Sequence, residues 1–272
     1  MARKIDLRAL GFALVGLWAA ACGGTGADAQ GVDDVELQQG NLETSNALTA
    51  NALTANALTA NALTANALTA NALTANALTA NALTANGLKD PLARQLMKYV
   101  VSCALPEDQT LSMSIDGKTY KFPGSLGLAP QWGKTGGKCD ESCQRWVSAC
   151  VLSRVDFLGI EMPISIRGAH PALRVTFKEF FEYSDDEATY FGNIFQEEKE
   201  MYACLAPDEK QIERVCGDSI ANCPMKVVGS CAKACSYREL TGGFVDCSSS
   251  GKAKKPESYR ESVTVFLPKP GR

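Results

Sequence analysis

Eleven cysteines and a single histidine are the side chains of this 272-residue sequence best suited to chemistry. Ten of the cysteines fall in residues 89–272: Cys103, Cys139, Cys143, Cys150, Cys204, Cys216, Cys223, Cys231, Cys235 and Cys247. In an exported protein an even set of this density reads as up to five disulfides, whose pairing spacing alone does not fix. Zinc is the competing use. Structural zinc sites favour Cys-x₂-Cys pairs, whereas the closest pairs here, Cys139/Cys143 and Cys231/Cys235, are four residues apart.

His170 is the only natural base near neutral pH. A Ser-His-Asp hydrolase also needs an activated serine. The Gly-x-Ser-x-Gly elbow is absent, and Gly124-Ser125-Leu126-Gly127 does not match it. His170 is therefore read as a loop residue after a strand ending near Arg167. Acidic side chains cluster at Glu179, Glu182, Asp185, Asp186 and Glu187, then at Glu197, Glu198 and Glu200. No Asp-x-Asp-x-Asp-Gly calcium loop is present, so the cluster reads as a solvated face. Asp185 and Glu187 are the candidates for a carboxylate-dependent hydrolase, which needs a concave site and one raised carboxyl pKa. Phe177, Phe180, Phe181, Tyr183, Tyr190, Phe191 and Phe195 read as core, with a carbohydrate or protein contact surface as the alternative. Lys252, Lys254 and Lys255 form a short basic loop. A net charge of −3 leaves no footprint for nucleic acid. No catalytic, cofactor or metal constellation is legible, and a non-enzymatic role is expected.

Charge divides the chain into four regimes. Residues 1–21 carry Arg3, Lys4 and Arg8 ahead of an apolar run over 9–21, too short to span a bilayer and suited to an export signal. Residues 22–45 hold Asp28, Asp33, Asp34, Glu36 and Glu43 with few large aliphatics, and read as a flexible acidic tether. Residues 46–88 carry no charge. Residues 89–272 balance their acids and bases. Ala19-Ala20-Ala21-Cys22 resembles the bacterial lipobox, although Ala19 stands where leucine is usual. The resemblance implies that Cys22 becomes the lipid-bearing amino terminus and anchors the protein at the outer membrane or cell surface. Cleavage as an ordinary signal would leave it periplasmic or secreted.

From Asn46 the unit Asn-Ala-Leu-Thr-Ala runs eight times without error, to Ala85. A five-residue period advances about 500° on an α-helix, so the leucines spiral and form no stripe. It also defeats the two-residue period of a strand. The unit is similar to the pentapeptide-repeat family, in which each unit makes one side of a four-sided β-solenoid. Here Asn occupies the small inward position, and each would need an amide ladder. Two readings stand: a disordered spacer or a short four-sided β-solenoid. Either would act as a stalk between lipid and domain. As a coil, Cys22 to Lys89 spans roughly 45 Å.

Over 89–272 the elements are mixed. Asp90-Pro91 starts a helix carrying Leu92, Leu96, Val100 and Cys103 on one face. Leu111, Met113 and Ile115, then Asp116-Gly117, then Tyr120 and Phe122 spell a type I′ hairpin. Residues 124–137 read as a loop. A helix over 140–154 aligns Cys139, Cys143, Trp146 and Cys150. Ile160–Ile166 alternates as a strand, held to a sheet edge by Pro163. Val175 and Phe177 suggest another strand. Pro207 opens a short helix closing at Cys216-Gly217. Val263, Val265 and Leu267 form a last strand. The fold class is α+β: a small disulfide-rich carboxy-terminal domain preceded by a repeat stalk.

Trp-Val-Ser-Ala-Cys at 146–150, Arg-Gly-Ala-His-Pro at 167–171 and Tyr-Phe-Gly-Asn-Ile-Phe at 190–195, together with the Cys22 leader and the repeat, resemble cysteine-rich lipoproteins of myxobacterial genomes. The resemblance implies surface or periplasmic placement and no activity. The expected function is that of a non-enzymatic, lipid-anchored envelope protein whose domain binds a protein or glycan partner. An extracellular hydrolase and a passive structural envelope protein are the alternatives.

Overall fold

A computed structural model of the chain describes residues 43–46, 48–49, 88–132, 139–196, 198–251 and 258–269. The export segment, Cys22, the tether up to residue 42, the repeats over 50–87, Glu197 and the lysine tract lie outside these residues. All described residues belong to one unit, Glu36–Arg272. No helix among them is long and apolar enough to cross a membrane.

Local chemistry starts each helix. Helix α1 (Pro91–Ala104) begins where the Asp90 side chain accepts from the Leu92 N–H, with Pro91 in the first turn. It stops at Leu105, ahead of Pro106, as the restriction on a residue preceding proline requires. Helix α2 (Glu141–Ser153) is capped by Asp140, which accepts from the Cys143 N–H at 2.9 Å. Between them, β3 (Thr110–Ile115) and β4 (Lys118–Pro123) pair through Asp116 (φ 50°) and Gly117 (φ 81°). Both turn residues are left-handed, as a type I′ turn demands. These elements match the sequence expectation closely.

One six-stranded sheet organises the rest. Its members are β1 (Glu43–Asn46), β6 (Met162–Arg167), β7 (Tyr183–Asn193), β8 (Glu200–Leu205), β9 (Lys226–Ser230) and β14 (Ser262–Pro268). The order is β1-β6-β14-β7-β8-β9, antiparallel throughout except for the β8–β9 pair. Shorter elements fill the connections: β2 (Leu48–Thr49), β5 (Val155–Asp156), α3 (Phe177–Glu182), α4 (Glu213–Cys216), α5 (Cys231–Ala234), β10 (Ser236–Arg238), β11 (Gly243–Val245), β12 (Cys247–Ser248) and β13 (Ser258–Tyr259). The architecture is the expected α+β. Helix α2 packs on β7 and β14, with Val147, Val151, Ile166, Tyr190, Val263 and Val265 in the larger core. On a second, smaller core Phe191, Phe244 and Tyr259 surround four cysteines.

Four expectations change. Val175 and Phe177 do not form a strand. Thr176 accepts from the Glu179 N–H and caps α3 instead. Pro207 opens no helix; α4 begins only at Glu213, although it ends at Gly217 (φ 63°) as expected. Pro163 does not mark a sheet edge, because β1 covers β6. The other neighbour, β14, pairs no farther along β6 than Ser165, so the missing N–H of Pro163 faces no partner on that side.

The fourth change concerns the chain before residue 89. Glu43, expected in the tether, pairs opposite Ser165, and Asn46 of the first repeat unit pairs opposite Met162. Leu48 and Thr49 then pair parallel with Val155 and Asp156. Leu88 is buried in the core before α1. The chain thus joins the domain at Glu43.

All ten domain cysteines are paired: Cys103–Cys150, Cys139–Cys143, Cys204–Cys231, Cys216–Cys223 and Cys235–Cys247. Cys103–Cys150 joins α1 to α2 across 47 residues, while Cys139–Cys143 closes a separation of only four. Loop-closure entropy then predicts unequal effects. Replacing Cys103 and Cys150 by alanine is expected to cost about 4 kcal/mol, and replacing Cys139 and Cys143 about 2 kcal/mol. Guanidinium unfolding of the two double variants measures the order, and an inverted order would refute the entropic account.

Candidate functional site: an acidic, apolar-floored cleft

The three motifs singled out in the sequence meet in the structure, and they meet as architecture. Ser148 Oγ accepts from the Ile194 N–H (3.0 Å) and donates to the Gln144 carbonyl (2.7 Å). Asn193 Nδ2 donates to Gln144 Oε1 (3.1 Å), and its Oδ1 accepts from the Phe195 N–H. These buried amides and hydroxyls lock α2 to the end of β7. Gly192 is obligatory there: its φ is 136°, and a Cβ would lie 2.0 Å from the Glu200 carbonyl oxygen. The Trp146 ring meets His170 edge-on at 5.1 Å between centroids. His170 Nδ1 accepts from the Ala172 N–H. It sits in a loop after β6, as expected, and it packs and caps there.

Candidate chemistry gathers at the opposite end of the sheet, in an open cleft of about 650 Å³. Phe157, Leu158, Ile160, Met162 and Leu267 are its apolar lining. Phe157, Leu158 and Ile160 are exposed, Leu158 by 72%. Asp185, Asp186, Glu209, Glu213 and Asp218 add a ring of carboxylates. Arg214 is the one cation among the described lining residues, and it is neutralised. Its Nε donates to Glu187 Oε1 (3.0 Å), Nη2 donates to Glu187 Oε2 and to the Tyr190 hydroxyl, and Nη1 donates to the Val155 carbonyl. Tyr190 completes the triangle by donating to Glu187 Oε2 (3.0 Å).

The charges follow from this packing. Burial lowers the Arg214 pKa, but the Glu187 carboxylate outweighs it and holds the guanidinium above its usual range. Burial and the adjoining Glu187 charge push the Tyr190 phenol up. Burial also pushes Asp186 above the usual carboxylate range, helped by the charges of Asp185 and Asp208. The cleft therefore combines exposed Phe157, Leu158 and Ile160 with several carboxylates on one lining.

The acidic segment is not one solvated face. Asp185 is exposed, whereas Glu187 and Glu179 are buried. Glu179 Oε1 accepts from Ser165 Oγ at 2.7 Å. Asp185 and Glu187 both line the cleft, but Glu187 is committed to Arg214 and Tyr190 and is poorly placed to exchange protons with a substrate. The aromatics also divide. Tyr183, Tyr190, Phe191 and Phe195 are core, while Phe177, Phe180 and Phe181 are exposed. Cys204, Cys231 and Cys235 bring their sulfurs within 4.8 Å of one another, a spacing a metal could use. All three are held in disulfides, with Cys204 and Cys235 in sulfur–sulfur contact at 3.5 Å.

No protein-family model, curated protein or solved structure matches the chain.

Breaking the buried pair should destabilise strongly, because the surviving charge loses its partner. Glu187→Gln or Arg214→Met alone is expected to cost about 3–5 kcal/mol, and the paired change Glu187→Leu with Arg214→Met much less. Denaturant unfolding of the three variants measures this, and additive losses in the pair would count against the coupling. His170 supplies a pH test. Burial lowers its folded pKa, and its Nδ1 acceptor role needs the neutral ring. The unfolded chain binds the proton first as pH falls through about 6.5, so stability drops on acidification. His170→Asn keeps an acceptor without titrating and should flatten the stability profile from pH ~7 down to ~5.

Proposed function

We propose that this is an exported, lipid-anchored envelope protein whose disulfide-stapled domain binds a partner protein through the acidic cleft. The observation that carries the reading is the cleft itself, an exposed aliphatic floor ringed by carboxylates. Isolated exposed hydrophobics are ordinary, but a contiguous apolar floor with a polar rim is the usual form of a binding site. Its aliphatic floor favours a protein segment over a glycan, and its charge favours lysine or arginine on that segment. The complete pairing of the domain cysteines suits an oxidising compartment. The basic, apolar leader and Cys22 supply the export signal and the lipid site, for the outer membrane or cell surface.

One observation favours the hydrolase as a second reading. Asp186, in the cleft, is the carboxyl whose pKa is raised. Asp186, rather than Glu187, would be the proton donor, with Asp185 beside it.

The mature chain separates these readings. A lysine–leucine model peptide should bind it with strong salt dependence, at least about tenfold more tightly than a glutamate–leucine peptide. Leu158→Asp and Ile160→Asp should abolish that preference. Equal binding of both peptides, or hydrolysis of glycan or peptide panels lost in Asp186→Asn, would displace the binding reading. Palmitate labelling lost in Cys22→Ser tests the anchor separately.

A further inference from the structure

Helix α3 is reversed relative to an ordinary surface helix. It buries Glu179 against the sheet and turns its phenylalanines outward. Phe177 is 82% exposed, and Phe180 and Phe181 are also exposed. The rings are nonetheless organised. Phe177 and Phe181 meet edge-to-face at 4.7 Å, and Phe180 and Phe181 at 5.5 Å. Buried Arg167 braces Phe180 from beneath, its guanidinium 4.9 Å from the ring centroid, while stacking on Phe266 and donating to the Tyr183 carbonyl. The β10–β11 turn stands alongside: a Cβ on Gly242 would lie 3.7 Å from the Phe180 ring. That hairpin adds exposed Tyr237 and, at its tip, Leu240, which is 97% exposed. Exposed Lys178, which pairs with Glu182 at 3.8 Å, and exposed Arg238 and Glu239 lie on the same two segments.

We propose that this aromatic face inserts into the lipid–water interface of the membrane that holds the chain, an inference that rests on the lipid anchor at Cys22 proposed above. The route of the chain selects the membrane as occupant. From Cys22 the polypeptide reaches the domain at Glu43, the residue paired opposite Ser165. Ser165 in turn donates to Glu179 of α3. The anchored end therefore meets the sheet at the strand on which α3 rests. Residues 23–42 can span at most ~75 Å even fully extended, which keeps the domain near the bilayer that would hold Cys22. Aromatic rings beside basic side chains are the composition that settles at the headgroup level. An acyl anchor joined by an inserted apolar face is a two-signal attachment. It holds one side of the domain against the bilayer.

The test uses the full mature chain with Phe177→Trp as reporter, since Trp132 and Trp146 are buried. It is mixed with vesicles of phosphatidylethanolamine and phosphatidylglycerol, in excess of the former, carrying brominated acyl chains. The expected result is a blue-shifted emission that the bromines quench, absent from a Phe157→Trp control in the cleft. Loss of insertion in a Phe180→Ser, Phe181→Ser background would add support. A chain that floats with the vesicles while the emission of the Phe177→Trp reporter stays as in buffer would overturn the proposal. So would a blue shift without vesicles accompanied by a doubled mass, which would make this face a contact between copies. Mass spectrometry of the amino-terminal peptide reports the anchor independently. If Cys22 carries no lipid, a vesicle-dependent shift of the unacylated chain still upholds insertion, and no shift overturns it.

Discussion

The buried triangle of Arg214, Glu187 and Tyr190 is the constraint on which the cleft depends. A guanidinium with almost no solvent can be accommodated only if its donors are met, and here carboxylate, phenol and the Val155 carbonyl meet them. The three acceptors come from β7 and β5, and the arginine from α4. Satisfying one side chain therefore fixes a helix and a short strand against the middle of the sheet. It also removes from play the one cation among the cleft's described lining residues. Stability and the cleft are coupled at this point: a change that frees Arg214 alters the shape of the cleft and its charge together.

The sheet needs cover on both faces, and the sequence supplies it in two ways. One face is closed by α2, which Cys103–Cys150 ties to α1 and the Gln144–Ser148–Asn193 network sets in place. The other has few large aliphatics. Its core is Phe191, Phe244 and Tyr259 around Cys204–Cys231 and Cys235–Cys247. Short cross-links there replace apolar area that a small cluster lacks. The same face leaves α3 outside, with its phenylalanines in solvent.

Elements governed by local chemistry were legible in the sequence. Asp90-Pro91, Asp140 and Asp116-Gly117 each act within a few residues, and each does what its type predicts. The alternating last strand was legible too, though not its central place in the sheet. Strand β7 was hidden because acids occupy its third to fifth positions and its last seven residues are all buried, which erases the two-residue period. Thr176 turned an apparent strand into a helix by capping it. The partnership of Glu187 with Arg214 crosses 27 residues with no motif to announce it. Pairing of Glu43–Asn46 with the sheet was equally silent, since register between distant strands is set by edges that only the folded domain presents. The cleft inherits that opacity. Its floor comes from the Phe157–Ile160 turn and its ring from β7 and the segment around α4, so Asp185 and Glu187 could be suspected but not placed.

The central claim is that the cleft receives a basic, aliphatic segment of another protein. A photo-crosslinking residue at Leu158 of the full chain, exported in intact cells, tests it most directly. The account predicts one dominant crosslinked protein, joined through a segment that carries lysine or arginine among aliphatic residues, with no such product from the same probe at Asp108. Crosslinks at Leu158 no different from those at Asp108, or attachment through an acidic segment, would contradict it.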